Sequence, residues 1–164
     1  MTETEKAQLN KVSNFLDSIA SKMSEQISSI MNGEFMKVEK YAANEIAVNE
    51  YILFEDGYRI VYYALDDDEN QIGYQPTLPE YPDGFMRSKE LSHLALDTDD
   101  YDFDNDADMD RMDEYYLQLE KIVTNWFNQC WLKAGGIEAS GKHLFSVHDS
   151  YDILDLKQQK WIED

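Results

Sequence analysis

The chain has 164 residues, 43% hydrophobic and 13% aromatic, which is enough for a single domain, 1–164, with a buried core. Its 34 acidic residues outweigh 14 Lys and Arg, and the net charge of −20 argues against nucleic acids and anionic membranes as partners and favours basic proteins or cations. One cysteine excludes an internal disulfide, and neither a signal peptide nor a membrane span is evident, so we expect a cytoplasmic protein.

The first predicted element is an amphipathic helix over about residues 3–31. Thr2 and Glu5 have the spacing of a capping box, and Gly33 supplies a stop. One helical face carries an apolar stripe, made of Leu9, Val12, Leu16, Ile19, Met23, Ile27 and Ile30. Such a stripe is typical of a helix that packs on a core, and the alternative is a coiled-coil seam that would form a homodimer.

Strands are predicted next. Asp56-Gly57 lies between the β-branched and aromatic runs 51–55 and 58–65, which predicts a hairpin. Residues 35–48 are compatible with two short strands, and further strands are expected at 72–74 and 143–147.

A second long helix is predicted over about residues 109–134. Its apolar stripe consists of Met112, Tyr116, Leu119, Val123, Trp126 and Cys130, and Gly135-Gly136 ends it. A last helix is expected over 149–161. Together these elements predict an α+β fold in which a small antiparallel sheet packs against two long helices.

The acidic residues are concentrated in the middle of the chain. Residues 56–114 hold 18 acids and 4 bases, a net charge of −14. Within this region every even position from 100 to 110 is Asp, namely Asp100, Asp102, Asp104, Asp106, Asp108 and Asp110. In an extended chain this alternation would put the carboxylates on one face, and Tyr101 and Phe103 on the other.

Three interpretations of this segment remain open. The first is a solvated loop that Tyr101, Phe103 and Met109 attach to the domain. The second is a docking surface for a basic partner, with a further acidic edge at Asp66, Asp67, Asp68 and Glu69 and additional aromatic contacts from Tyr74 and Tyr81. Because same-face carboxylates would repeat at about 6.7 Å, which is near the spacing of phosphates, a DNA-mimic inhibitor is one version of this interpretation.

The third interpretation is a weak calcium site. From Asp102 onward the acids match the ligand spacing of an EF-hand loop. However, Ala107 stands where the loop needs glycine, and Asp113 where it needs a bidentate glutamate. The candidate ligands are Asp102, Asp104, Asp106, Asp108 and Asp113, and no other cofactor is expected.

Catalytic motifs are lacking in the sequence. His148-Asp149 between Ser146 and Ser150 is the only cluster with catalytic residue types, and no nucleophile elbow accompanies it. Cys130 lies on the apolar stripe of the second helix, where a core role is expected. The sequence therefore predicts a protein that is not an enzyme.

In size, charge, aromatic-rich core and acidic segment, the chain resembles bacterial immunity proteins, which protect cells from toxins. The resemblance covers the whole chain as a type, without an aligned motif. The resemblance implies a small cytoplasmic domain without catalytic residues that blocks the basic site of a toxin, often a nuclease. No site residue is carried over from that family, so the partner-binding residues remain those of the acidic segments.

Overall fold

Two long helices and a mixed seven-stranded sheet form the fold. The computed structural model describes residues 1–33, 46–73, 75–79, 84–92 and 101–163, without the side chain of the last. The helices are α1 (Glu3–Met31) and α2 (Asp106–Lys133), and the strands are β1 (Val48–Phe54), β2 (Arg59–Leu65), β3 (Gln71–Ile72), β4 (Thr77–Leu78), β5 (Lys142–Val147), β6 (Asp152–Asp155) and β7 (Lys160–Glu163). The predictions made for 35–45, Tyr74, Tyr81 and Asp100 lie outside the described residues.

Helix α1 is the helix that the sequence predicts. The Thr2 hydroxyl accepts the Glu5 amide hydrogen at 3.2 Å, and the Glu5 carboxylate accepts that of Thr2 at 2.6 Å, which completes the capping box. The predicted stripe is buried, with Ile19 only partly so. Because the stripe packs against the core and against α2 of the same chain, its apolar side chains are not available as a seam to a second copy.

Helix α2 begins at Asp106, three residues before the predicted start, because the Asn105 side chain caps it by accepting the Ala107 amide hydrogen at 2.9 Å. Its end is as predicted, with Gly135 in the left-handed region at φ 87° just after the helix. The predicted stripe is wrong at one position, since Tyr115 is buried and Tyr116 is exposed.

The sheet has the order β3-β2-β1-β5-β6-β7, and β4 also pairs with β2. The predicted hairpin is confirmed as β1 and β2, which are joined by the four-residue loop 55–58. The prediction of a purely antiparallel sheet is wrong, because β1 and β5 pair in parallel at its centre. Parallel neighbours need a long crossover, and here the connection between them contains α2.

The helix predicted for 149–161 is wrong, since these residues form most of the β6–β7 hairpin. Asp155 explains the difference, because its carboxylate accepts the amide hydrogens of Lys157 at 3.0 Å and Gln158 at 2.9 Å. This local turn competes with helix formation. Leu154 and Leu156 are buried on either side of Asp155.

The polar side chain of His143 is 1% exposed and lies deep in the core. Its Nε2 atom donates to the Ser140 carbonyl at 2.9 Å, which leaves Nδ1 as an acceptor for Trp131 Nε1 and the Tyr51 hydroxyl, each at 3.4 Å. Burial lowers the pKa of His143, so the ring is neutral in the folded protein.

In the part of the chain that the structure describes, no helix combines the length and apolar character needed to cross a membrane.

Candidate partner-binding site

The acidic segment does not form the single extended face that its alternation predicts. Asp102 and Asp104 lie in the turn before α2, whereas Asp106, Asp108 and Asp110 lie in its first turns. Residues two apart on a helix point about 200° apart, so alternate carboxylates no longer share a face. The phosphate-like spacing that suggested a DNA mimic therefore does not extend past the start of α2.

Tyr101 attaches this segment to α1. Its buried hydroxyl donates to the Glu5 carboxylate at 2.6 Å, and Arg111 lies 4.6 Å above its ring and 3.1 Å from the same carboxylate. Burial alone would raise the pKa of Glu5, but the hydrogen bonds from Tyr101 and Thr2 and the charge of Arg111 lower it. Tyr101 is thus a structural contact and is not open to a partner, whereas Phe103 is exposed.

The carboxylates of the candidate calcium site are used locally. Asp108 accepts the Asp102 amide hydrogen at 3.1 Å and lies 3.3 Å from Arg111, and Asp102 accepts the Asp104 amide hydrogen at 3.0 Å. Asp113 lies about two helical turns beyond Asp106. Among the described residues, no group of three or more His, Cys, Asp or Glu side chains is placed to hold a metal ion.

The second predicted acidic edge, Asp66 to Glu69, is separate from the first. Asp66 organises a turn after β2 by accepting the amide hydrogens of Asp68 at 2.9 Å and Asn70 at 2.8 Å, and these bonds lower its pKa. The turn lies at the end of β2 opposite the loop 55–58. Asp110 of the first acidic segment lies beside that loop, because it lines one cavity with Glu55 and Asp56. The seven residues of β2 put its two ends about 20 Å apart, so the two acidic edges do not form one surface.

A different arrangement brings acidic side chains together, in a cleft between the loop 55–58 and α2. This acidic cleft has a volume of about 980 Å³. It is lined by Glu55, Asp56, Tyr58, Asp110, Asp113, Glu114, Tyr116, Leu117 and Glu120. Six of these nine side chains are carboxylates and none is basic. Of the predicted partner-binding residues, only Asp110 is among them.

Helical spacing puts the α2 residues on one wall of the cleft. Asp110, Asp113, Glu114 and Leu117 follow one another at intervals of three, one and three residues, which is one face of a helix. The buried residues Tyr115 and Leu119 lie on another face of α2. Because the helix face with Tyr115 is buried, the face with these carboxylates is directed toward the cleft.

The opposite wall is the loop between β1 and β2. The segment 84–86 braces this loop, since Phe85 N donates to Tyr58 O at 3.1 Å and Met86 N to Gly57 O at 3.0 Å. A Cβ atom on Gly84 would lie 2.0 Å from the Gly57 carbonyl oxygen, so only glycine allows this approach. Arg87 forms an ion pair with Asp56 on the same loop.

The negative charge of the cleft affects the pKa values of its own side chains. Burial raises the pKa of Glu120, and its neighbour Glu55 raises it further. The pKa of Tyr58 is raised by burial and then by Glu120 and Glu55. Such a site favours ammonium or guanidinium groups, and the exposed ring of Tyr116 offers an additional cation–π contact, whereas the ring of Tyr58 is buried.

The residues considered for catalysis lie elsewhere. His148 stacks on Phe54 with ring centres 4.5 Å apart, and its Nδ1 atom lies 3.1 Å from the exposed Asp149 carboxylate. Cys130 is buried against α1, and burial raises the pKa of its thiol to about 11, as expected for a core cysteine.

Sequence reasoning missed most of the cleft, namely Glu55, Asp56, Tyr58, Glu114, Tyr116, Leu117 and Glu120. The available signal was the helical spacing of the acids after Asp110, on a face without the apolar stripe. No protein-family model, characterised protein or solved structure matches this chain. The acidic cleft and the charge of the chain are therefore the features that bear on its function.

Proposed function

We propose that this chain is a non-enzymatic binding protein that neutralises a basic protein, whose Lys or Arg side chains enter the acidic cleft. The observation that carries the proposal is the lining of the cleft, which has six carboxylates and no basic side chain. Asp56 pairs with Arg87 and Glu114 with the Met1 ammonium at 2.8 Å, so the proposal rests on the other four, Glu55, Asp110, Asp113 and Glu120. Carboxylates on two opposed walls can each accept hydrogen bonds from one cationic group, and such charge-assisted bonds are stronger than neutral ones.

The charge of the whole chain supports the same proposal. A net charge of −20 generates a field that attracts a basic partner from a distance and raises the association rate at low salt. The same charge costs stability through self-repulsion, which is consistent with a role that depends on it. The acids at the start of α2, Asp106 and Asp108, lie one turn before the cleft and add to its potential.

In its finer form the proposal is an immunity protein that inhibits a bacterial toxin, for example a nuclease. A nuclease needs a basic surface to bind phosphates, and an acidic protein seated on that surface would exclude the substrate. The charge, the size and the resemblance in type to immunity proteins support this form.

The experiment compares two variants that remove equal charge. The cleft variant carries Asp110→Asn, Asp113→Asn and Glu55→Gln, and the control carries Asp67→Asn, Asp68→Asn and Glu69→Gln at the far end of β2. Glu114 is left unchanged because it pairs with the Met1 ammonium at 2.8 Å. The partner is captured from native lysate at low salt, identified, purified, and its association rate is measured over a range of salt concentrations.

We expect the cleft variant to associate about 3- to 10-fold more slowly than wild type at low salt, with a shallower salt dependence, and the control to change much less. Equal effects of the two variants would show that only net charge matters and that the cleft is not the site. For the toxin form, expression of the partner alone should arrest growth, and co-expression of the wild-type chain should restore it.

A further inference from the structure

A second cavity continues the acidic cleft along α2. It has a volume of about 410 Å³ and lies between α2 and the β5–β7 region. Its apolar side chains are Leu117, Val147 and Trp161, and the rest of the lining is polar or charged: Glu120, Lys121, Thr124, Asn125, Ser150 and Asp152. We call this cavity the apolar groove. Leu117 and Glu120 line both the acidic cleft and the apolar groove, so the two cavities adjoin along α2, and we refer to the pair as one depression.

Exposed apolar side chains concentrate at this depression. Among the described residues six large hydrophobic side chains are exposed, and three of them, Tyr116, Leu117 and Trp161, line one cavity or the other. Leu117 is 49% exposed and Trp161 is 50% exposed. Adjoining apolar residues with a charged rim are typical of an interaction site rather than of a solvated surface.

We propose that the partner presents a short basic segment, in which a large apolar side chain occupies the apolar groove while Lys or Arg side chains of the same segment enter the acidic cleft. This inference rests on the proposed function and adds the mode of recognition. Helix α2 rises about 21 Å from Asp110 to Thr124, which an extended segment of about six residues would span.

Charge complementarity selects this occupant. A second copy of the chain would bring another net charge of −20 to a depression whose cleft is lined by six carboxylates. A segment that is only basic would satisfy the cleft but leave Leu117 and Trp161 in water. An apolar side chain beside the cations removes this surface from water, and charge alone contributes more to the association rate than to affinity.

The test uses two synthetic hexapeptides, acetylated and amidated at their ends. One repeats Lys-Lys-Leu and the other repeats Lys-Lys-Ser, so that they differ only in the apolar side chain. Trp161 is the natural reporter, because the other two tryptophans, Trp126 and Trp131, are buried. Peptide titrations give the dissociation constant, and acrylamide quenching of tryptophan emission reports on the exposure of Trp161.

We expect the leucine peptide to bind about 10-fold more tightly than the serine peptide and to protect Trp161 from acrylamide. Leu117→Gln, which keeps a good helix former, should abolish this preference. Ile137→Gln is the matched control, because Ile137 is also half exposed but lies outside both cavities, and it should leave the preference unchanged.

The inference would be overturned by equal affinity of the two peptides, by failure of both to bind, or by unchanged quenching of Trp161 on binding. The triple cleft variant separates this outcome from a failure of the proposed function. If it weakens both peptides while leucine gives no advantage, the acidic cleft stands and the groove does not. If the leucine preference persists but the cleft variant binds both peptides as wild type does, the groove stands and the role given to the cleft is wrong.

Discussion

Mild acid should destabilise the folded protein through His143. The ring is 1% exposed, donates from Nε2 to Ser140, and receives the Trp131 indole hydrogen at Nδ1. A second proton on Nδ1 would oppose that donor and place a charge in the core. Burial is the largest cause of the lowered pKa; the Ser140 carbonyl and Asp155 oppose it, while Lys157 adds to it.

The size of the effect follows from proton linkage. His143 has an ordinary pKa of 6.5 in the unfolded chain and a lower one in the folded protein. Above pH 6.5 neither state is protonated at this site, so its contribution to the pH dependence vanishes. Below pH 6.5 the unfolded chain gains a proton that the folded protein does not, and the free energy of unfolding falls by up to about 1.4 kcal/mol per pH unit until the folded pKa is reached.

The measurement is urea unfolding of wild type and His143→Gln at pH 7.5, 6.5 and 5.5. Glutamine can donate to Ser140 and accept from Trp131 but does not titrate, so the comparison cancels the contribution of the many carboxylates. Between pH 7.5 and 5.5 wild type should lose up to about 1.4 kcal/mol more than the variant. Parallel curves for wild type and His143→Gln would show that His143 does not cause this pH dependence.

Two further predictions concern the end of α2 and the acidic cleft. Gly136→Ala would place a Cβ atom 2.3 Å from the ring of the fully buried Trp131. The free energy of unfolding should fall by about 1–3 kcal/mol, which lowers the melting temperature by several degrees. Gly135→Asn has no atom within 4 Å of its new Cβ and should lose less stability, and equal losses for the two variants would contradict this account. Glu120→Gln removes a carboxylate whose pKa burial and Glu55 raise, so it should increase the urea midpoint at pH 7 and lose that advantage as the pH falls below 4.5, where Glu120 becomes protonated in both states. A lower midpoint at pH 7 would show that Glu120 stabilises the fold.

The first helix and the hairpin could be predicted from the sequence because each depends on the spacing of residues within one short segment. The stripe of α1 and its capping box depend on spacings within one helix, and the loop 55–58 depends on the Asp56-Gly57 turn. Errors arose where two local signals competed. Asn105 started α2 inside the alternating acids, and the turn at Asp155 replaced a helix by a hairpin.

Tertiary pairing was beyond a single sequence. The parallel contact of β1 with β5 joins segments separated by about ninety residues, and no spacing within either strand encodes it. The candidate site shows the same limit, because 18 acids in residues 56–114 do not indicate which of them meet. Only the start of α2 and the placement of the hairpin loop bring Asp110 and Glu55 to one cleft.

The parallel pairing of β1 with β5 also sets the order in which the sheet can form during synthesis. Strand β1 has β2 beside it early, but its other edge stays open until Lys142–Val147 leaves the ribosome. Until then Tyr51 and Leu53, fully buried in the finished sheet, lack part of their cover. Contacts of such sequence separation slow folding, and this edge of β1 can pair only after about ninety further residues have been synthesised. A chain truncated before β5 would keep that edge permanently and would be expected to aggregate.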